Sequence, residues 1–280
     1  MKIICCRILI SLLLISAISN YAQSQLSIQL DYANKLFSSN QFYDAITEYK
    51  RLLFFDSSKT HHYKAYFQIG KCYKAGAKLD DAVKYFALSE LNSKSDEERL
   101  KSKFEIVRCN ILRRTFSRAH QLLDELQAMN LNSEMRDSIN YWRGWTFMFE
   151  DDWKSASASF SRLNPYHELK ILCDRVEKEK VSVTFATVIS YILPGAGQIY
   201  TGNYLSGFLS LGWNVLSAYL TIHAFNANRV FDGFAILTLL WQRFYRGNIQ
   251  NAKQFAIDKN IEIANGALIY LQNQFKGNKP

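Results

Sequence analysis

The sequence predicts an all-α protein in two parts: a solenoid of about four helical hairpins, followed by a small hydrophobic domain of membrane helices. Three observations indicate this fold class. The 280 residues include only three prolines and twelve glycines, too few for the many turns of an all-β fold. The middle of the chain repeats with a period of 37 residues. From Val181 to Asn228, 48 residues contain no Asp, Glu, Lys or Arg, whereas about a quarter of residues in soluble domains are charged.

Composition limits the possible classes of function. Hydrophobic residues make up 48% of the chain and charged residues 21%, which excludes a disordered polypeptide. The net charge is +9, but residues 23–165 carry 21 basic and 18 acidic side chains. Nucleic-acid binding usually leaves a concentrated basic stripe or patch. We therefore expect no nucleic-acid partner.

Residues 1–22 have the pattern of an export signal. Lys2 and Arg7 form a short basic start, and the apolar core from Ile8 to Ile18 is too short to span a bilayer comfortably. Ala22 is a suitable last residue before cleavage. The alternative interpretation is an uncleaved N-terminal anchor.

The 37-residue period consists of four aligned columns. Each unit has an alanine, a large apolar residue three positions before it and another four positions after it; the second and fourth units have a glycine twelve positions before it. The columns are Ala45, Ala82, Ala119 and Ala156; Phe42, Leu79, Phe116 and Trp153; Tyr49, Phe86, Leu123 and Phe160; and Ala33, Gly70, Val107 and Gly144. Residues four apart share a helix face. Each unit is therefore predicted to be a helical hairpin that buries its apolar face against its neighbours.

These columns resemble the tetratricopeptide repeat. The clearest unit is YFQIGKCYKAGAKLDDAVKYF, Tyr66–Phe86. The fourth, YWRGWTFMFEDDWKSASASF, Tyr141–Phe160, is followed by the expected proline at Pro165. The resemblance covers residues 26–165. Its usual period is about 34 residues, so we expect the extra residues in loops between hairpins.

The resemblance implies a concave groove, lined by the first helix of each hairpin, that binds a protein or peptide partner. The candidate partner-binding residues are Asn34, Lys71, Lys74, Arg108, Tyr141 and Trp145. The three cations among them would form a basic patch suited to an acidic peptide. Alternatively, they are ordinary solvated side chains on a helix face.

Three segments after a linker helix at residues 166–180 could enter a membrane. Tyr204–Phe225 is an uncharged segment long enough to cross a bilayer as a helix. Val181–Tyr200 is uncharged but interrupted by Pro194, and Val230–Tyr245 contains two charged residues. We expect two or three membrane helices.

The glycine-rich stretch PGAGQIYTG, Pro194–Gly202, is predicted to be a turn between apolar helices. It lacks the third glycine of a dinucleotide-binding loop and the lysine of a P-loop. Its many apolar neighbours exclude a flexible linker. The proline ends or kinks the preceding helix, and the tyrosine suits a membrane–water boundary. The residues of this turn motif are Pro194, Gly195, Gly197, Gln198, Tyr200 and Gly202.

This stretch resembles the PGxGQxYxG segment of TM2-like membrane domains. Further along, FYRGNIQNAKQFA, Phe244–Ala256, resembles the YxGNIxxA end of the version found beside tetratricopeptide repeats in envelope proteins of Bacteroidota. Arg246 departs from the apolar residue expected there. The resemblance covers residues 181–256, and residues 257–280 are predicted to be an amphipathic tail.

Export and charge predict the location and topology. An export signal places the repeats outside the cytoplasm, so we expect an inner-membrane protein with its repeats in the periplasm. The segment from residue 243 to 280 has six basic and two acidic residues, which favours the cytoplasmic side. These two expectations together require an odd number of crossings.

No arrangement of catalytic residues is visible. A metal site at His61-His62 lacks further ligands nearby. Asp80-Asp81 and Asp151-Asp152 suit helix starts better than an acid–base pair. Within the apolar segment, Asn214 and His223 could mark a transport path, although His223 also suits the interface. We expect neither an enzyme nor a cofactor.

The sequence thus favours a membrane-anchored scaffold or adaptor whose repeats bind protein or peptide partners in the cell envelope. The alternative is a component of a membrane assembly or transport machinery. In that case the C-terminal domain would form homo-oligomers through Gly197, Gly202 and Gly207.

Overall fold

A computed structural model describes residues 25–129 and 132–280. In these ranges all regular secondary structure is helical, which confirms the all-α fold class. The predicted export signal lies outside the described residues.

The chain forms two compact units. The N-terminal unit extends to Pro165 and also includes Lys279 and Pro280, while the C-terminal unit is Tyr166–Asn278.

The described part of the N-terminal unit consists of eight helices. Each packs mainly against the helices before and after it in the chain, and α5 also contacts α3 and α7. The helices are α1 (residues 25–38), α2 (Phe42–Phe55), α3 (His62–Ala75), α4 (Leu79–Leu91), α5 (Asp96–Leu112), α6 (Phe116–Gln127), α7 (Ser133–Phe149) and α8 (Trp153–Ser161).

The backbone conformation repeats with the same 37-residue period. The first helix of every pair ends at a residue with positive φ, namely Asn40 (59°), Ala77 (56°), Arg114 (58°) and Asp151 (67°). In each turn the next residue's N–H bonds the carbonyl five positions earlier, as in Lys78 to Tyr73 at 2.9 Å. This is the Schellman ending of a helix, which reverses the chain while satisfying its last carbonyls. Four different residue types occupy the left-handed position. No shared residue type marks it in the sequence, so it could not be recognised as a column of the repeat.

The sequence columns form the core of this unit. All four alanines and all four residues that follow them by four positions are fully buried. A Cβ atom on Gly70 would lie 2.7 Å from the ring of Phe86, and one on Gly144 would lie 2.5 Å from the ring of Phe160. These glycines therefore admit the aromatic ring from the second helix of their own hairpin.

The C-terminal unit is built around one long helix. This helix, α14, contacts α9, α10, α11 and α12. The elements are α9 (Glu168–Glu179), α10 (Val183–Ile192), α11 (Ala196–Tyr200), α12 (Tyr204–Asn226), α13 (Val230–Ala235), a π-helical segment (Ile236–Trp241) and α14 (Gln242–Asn273). The last three form one continuous helical run, so the predicted boundary after residue 256 falls inside α14.

Helix α12 and residues 230–248 form an antiparallel hairpin. Ser210 meets Asn248 near its open end, and the rings of Phe225 and Phe234 meet near its turn, with centroids 5.4 Å apart. At 1.5 Å per residue, residues 230–248 extend about 28 Å. Both ends of this hairpin therefore lie at the same end of the C-terminal unit.

Within the described residues, α12 is the one helix whose length and apolar composition would allow it to cross a membrane. It has 23 residues and a mean hydropathy of 1.3, with 22% of its most apolar window buried. Helix α10 has ten residues, or about 15 Å. We expected two or three such helices, and the described residues contain one.

The buried face of α12 is the reverse of that in a soluble protein. Its buried residues are small or polar: Gly207, Asn214, Ser217, Thr221 and Ala224. Its exposed residues include Leu205 (75%), Phe208 (63%), Val215 (60%), Tyr219 (62%) and Ile222 (58%). A surface helix of a soluble domain buries its apolar stripe instead.

The left-handed turn residues yield a matched pair of substitutions. Ala77→Gly should stabilise the chain by about 0.5–1 kcal/mol, because a left-handed backbone costs a non-glycine residue about 1–2 kcal/mol and glycine's added freedom offsets part of this gain. Ala87→Gly, inside α4, should destabilise the chain by about 1 kcal/mol. Thermal unfolding of the purified chain, followed by circular dichroism, measures both. Equal losses for the two variants would contradict the left-handed turn.

Candidate functional site

The six candidate partner-binding residues lie on the first helices of the four hairpins. Asn34 lies on α1, Lys71 and Lys74 on α3, and Arg108 on α5, while the two aromatic candidates lie on α7. Because α5 contacts both α3 and α7, residues from three hairpins come together. Two sets of contacts define the charge of this surface: Lys74 and Arg108 with Glu105, and Arg108 with Trp142.

Lys74 and Arg108 share one carboxylate, that of Glu105. The Lys74 Nζ lies 3.0 Å from Glu105 Oε2, and Arg108 Nη1 bonds the other oxygen. Burial lowers the pKa of Lys74, the nearby Arg108 lowers it further, and Glu105 opposes both effects. Two of the three predicted cations are therefore partly neutralised, and this cluster carries a net charge of +1.

Aromatic rings, including the buried Trp142, lie against this cluster. The Arg108 guanidinium lies 4.9 Å from the centre of the Trp142 ring, a cation–π distance. Tyr141 meets Trp142 edge to face, with centroids 5.0 Å apart. Trp145 is only 2% exposed, so its indole lies inside the unit rather than on its surface.

Arg108 also binds backbone. Its Nη2 donates a hydrogen bond of 2.6 Å to the carbonyl of Lys279, which belongs to the N-terminal unit. A guanidinium has five N–H donors, so Arg108 can hold Glu105 and a carbonyl at once. Arg108 therefore already holds a carbonyl of the chain's own C-terminal segment.

The remaining two candidates have partners inside the fold. The Lys71 ammonium lies 4.8 Å from the centre of the Phe37 ring. The Asn34 side-chain oxygen accepts a 2.7 Å hydrogen bond from the hydroxyl of Tyr49. Lys71 thus joins the second hairpin to the first, whereas the bond of Asn34 lies within the first hairpin.

Sequence analysis missed Glu105 and Trp142. Glu105 and Arg108 are three apart on α5, a spacing that indicates an ion pair on a helix. Trp142 adjoins a candidate that was identified, Tyr141, but its contact with α5 depends on how α5 and α7 pack.

The turn motif of the C-terminal unit is a site of very close packing. Gly195, with φ of 94°, begins α11, and a Cβ atom there would lie 2.2 Å from the carbonyl oxygen of Gly207. A Cβ atom on Gly197 would lie 2.2 Å from the carbonyl oxygen of Ala186. The motif thus brings α11 against α10 and α12 at distances that only glycine permits.

Asn248 of α14 joins the motif to three other elements. Its Oδ1 accepts hydrogen bonds from Gly195 N (2.7 Å), Gln198 Nε2 (2.9 Å) and Ser210 Oγ (2.8 Å). Its Nδ2 donates to the carbonyl of Ser190, 3.1 Å away. The side chain is 2% exposed, so all these bonds lie in the interior.

The hydrogen bond from Asn248 to the Ser190 carbonyl replaces a backbone bond that Pro194 cannot make. In a continuous helix the Ser190 carbonyl would accept from the N–H four residues later, but Pro194 has none. The next carbonyl, of Tyr191, accepts instead from the hydroxyl of Tyr245 at 2.8 Å. Side chains of α14 therefore complete the broken end of α10.

Gln198 and Tyr200 have structural roles that sequence analysis did not assign. The Gln198 amide donates to both the side chain and the main-chain carbonyl of Asn248, and the residue is fully buried. The Tyr200 hydroxyl accepts a 3.2 Å hydrogen bond from the N–H of Ser182, directly before α10. The tyrosine thus ties α11 to the start of α10.

Two of the three glycines proposed for oligomerisation contact the chain itself. Gly197 lies against Ala186 and Ser190, and Gly207 lies against Ile199 and Gly195. Gly202 has no neighbouring atom within 4 Å of a Cβ position, and its φ of 86° ends α11. Helix contact through Gly197 and Gly207 is therefore already made within one chain.

The described residues include no group of three or more His, Cys, Asp or Glu side chains that could hold a metal ion. Burial raises the pKa of Cys72 to about 12 and that of Cys109 to about 11, so neither is a thiolate at neutral pH.

Asp152 caps α8, accepting from the N–H of Ser155 at 3.0 Å.

The loop before α3 is organised by Asp56. Burial raises the pKa of Asp56, but hydrogen bonds from the N–H groups of His61 and Thr60 and the hydroxyl of Ser58 outweigh it and hold the pKa below its usual value. The carboxylate therefore stays charged and fixes the turn.

Asn248 yields a direct test of the network. Asn248→Ala should lower the free energy of unfolding of the C-terminal unit by about 2 kcal/mol or more, because each buried group left without a partner costs about 1–3 kcal/mol. Asn251→Ala, which removes an exposed amide from the same helix, is the matched control. Thermal unfolding in detergent measures both variants. A loss no larger than that of the control would show that the network does not hold this unit together.

Comparison with known proteins adds no assignment. No family model, no curated protein and no solved structure matches the chain. The resemblances to tetratricopeptide repeats and to TM2-like domains therefore rest on the residues quoted above, and a functional assignment has to come from the geometry of the two units.

Proposed function

We propose that this protein is a membrane-anchored scaffold: the C-terminal unit holds it in a bilayer, and the N-terminal unit binds a protein or peptide partner. The observation that carries the proposal is the reversed polarity of α12, which buries Asn214, Ser217 and Thr221 and exposes large apolar side chains. In water this arrangement exposes a large apolar patch, whereas in hydrocarbon it is favourable.

The hairpin supports a more specific anchor. The second arm also exposes apolar side chains, such as Phe231 at 85% and Leu239 at 69%. From Val230 to Gln242, before Arg243, it extends about 20 Å, compared with the roughly 30 Å of a hydrocarbon core. We propose that both arms cross, which makes the number of crossings even. Both ends of the C-terminal unit then lie on the repeat side, which differs from the odd number of crossings that the export signal and the charge of the tail together predicted.

Charge at the tip of the hairpin does not set a direction. Arg229 lies at the turn and pairs with Asp232 at 2.7 Å, so the tip carries no net charge. The proposed location, an inner-membrane protein with its repeats in the periplasm, therefore rests on the predicted export signal.

The N-terminal unit supports the binding role. Its four helix pairs, each closed by the same turn at a 37-residue spacing, favour a tetratricopeptide-like solenoid. The Arg108 surface fits an extended segment whose carbonyl groups accept hydrogen bonds, because Arg108 already binds a carbonyl in this way. With Glu105 present, a strongly acidic partner is not required. We propose a binding function without catalysis.

The alternative, an assembly or transport component that oligomerises through the membrane domain, has less support. Gly197 and Gly207 pack against other residues of their own chain. Of the three glycines proposed for oligomerisation, Gly202 is therefore the one left to contact a second chain.

Reporter fusions test the anchor. Reporters active in the periplasm or in the cytoplasm, fused after Pro165, Asn228 and Pro280, should place the first and last positions in the periplasm and the middle one in the cytoplasm, with the chain in the membrane fraction. Opposite locations for Pro165 and Pro280 would rule out the two-armed hairpin. Recovery in the soluble fraction would rule out the anchor.

Site-specific cross-linking tests the partner surface. A photoreactive phenylalanine at Tyr141, beside Arg108, should capture a protein in living cells, and the same residue at the exposed Tyr43 of α2 should not. Arg108→Gln should reduce the Tyr141 product several-fold, because a charge-assisted hydrogen bond contributes about 1.5–3 kcal/mol. Equal capture from both positions would contradict a specific site.

A further inference from the structure

The C-terminal unit contains a cavity of 920 Å³ between α12 and the second arm of the hairpin. It lies toward the open end of the hairpin, where residues 205–214 face residues 238–251. Its volume is that of a site for a small organic molecule rather than for a single ion.

The cavity is positively charged. Arg243 and Arg246 both line it, and no Asp or Glu does. Neither arginine has a carboxylate partner among the described residues. An uncompensated guanidinium pair matches the geometry of a phosphate, which can accept two parallel hydrogen bonds. Arg246 is also the residue that departs from the apolar pattern of TM2-like domains.

A buried acceptor also lacks a donor in this cavity. Asn214 is 3% exposed, and its Nδ2 donates to the carbonyl of Ser210 at 2.8 Å, which fixes the orientation of the amide. Its Oδ1 is buried and has no hydrogen-bond partner in the described part of the chain. A buried acceptor of this kind is costly unless it is paired, so a hydroxyl group of a ligand would complete it.

Part of the cavity lining is apolar, although most of its lining residues are polar. The rings of Trp213 and Phe244 stack with centroids 5.3 Å apart and planes inclined by 13°, and Leu205 and Leu209 lie along the same side of α12. The leucines are 75% and 55% exposed, so the cavity adjoins the surface proposed to face lipid. A ligand seated here has a phosphate at one end and apolar groups at the other.

We propose that this cavity binds the headgroup of an anionic phospholipid with a free hydroxyl, of the phosphatidylglycerol class. The phosphodiester binds Arg243 and Arg246, the glycerol hydroxyl donates to Asn214, and the acyl chains lie along α12. This inference rests on the proposed membrane location of the C-terminal unit, and it assigns that unit a lipid preference in addition to an anchoring role.

The test is lipid-dependent thermal stability of the full chain in a nonionic detergent. Phosphatidylglycerol should raise the unfolding temperature, whereas phosphatidylcholine should not. In the variant Arg243→Gln/Arg246→Gln, the lipid concentration for a half-maximal shift should rise at least about tenfold, because charge-assisted hydrogen bonds are lost. The control Lys253→Gln/Lys276→Gln removes two exposed cations of the same unit that do not line the cavity and should respond like wild type.

Further measurements separate this proposal from the anchor itself. The double variant should remain in the membrane fraction, because the hairpin does not depend on the cavity; a soluble wild-type chain would refute the anchor instead. Equal stabilisation by glycerol 3-phosphate alone would refute a lipid and show a free phosphate site. Equal responses from phosphatidylcholine, or from both pairs of variants, would refute a specific headgroup site.

If the double variant does not fold, the lipids that stay bound to the wild-type chain test the proposal instead. Repeated detergent washing should leave phosphatidylglycerol bound and remove phosphatidylcholine, and Asn214→Leu should lose that retention. Equal loss of both lipids from wild type would overturn the proposal.

Discussion

The structure of the C-terminal unit depends on the hydrogen bonds that α14 supplies to a broken helix. Pro194 removes the N–H that would pair with the Ser190 carbonyl, and Asn248 replaces it while also accepting from the N–H of Gly195. A buried backbone group without a partner costs about as much as a lost hydrogen bond. The break after α10 is therefore stable only where Asn248 is present, and the positions of α11 and α12 follow from it.

This constraint is stricter in the proposed bilayer than in water, because hydrocarbon offers no alternative partner for a backbone group. It also explains why the turn motif and the FYRGN segment belong together. Tyr245 and Asn248 are three residues apart on one face of α14, and they serve two successive carbonyls at the end of α10, those of Tyr191 and Ser190. The glycines of the turn then permit the close approach that these bonds need.

The N-terminal unit is held by local rules that recur along the chain. Every first helix ends in the same left-handed turn, and every second helix buries an alanine and a large side chain four positions later. These contacts lie mostly within or between adjacent hairpins, and Arg108, on the first helix of its hairpin, bonds Glu105 and the carbonyl of Lys279. The two units thus divide the proposed function: one is an anchor held by interior polar bonds, and the other a surface for a partner.

The sequence by itself determined the helical class and the 37-residue period, because apolar spacing within a helix and columns repeated at a fixed interval can both be read without knowing how the helices pack. The alanine column and Gly70 could be recognised in this way. Only the tertiary structure decided which distant side chains meet: Glu105 between Lys74 and Arg108, Asn248 against Gln198, and the return of residues 230–248 along α12. These pairings depend on the register and crossing of helices up to 50 residues apart, which local periodicity does not encode.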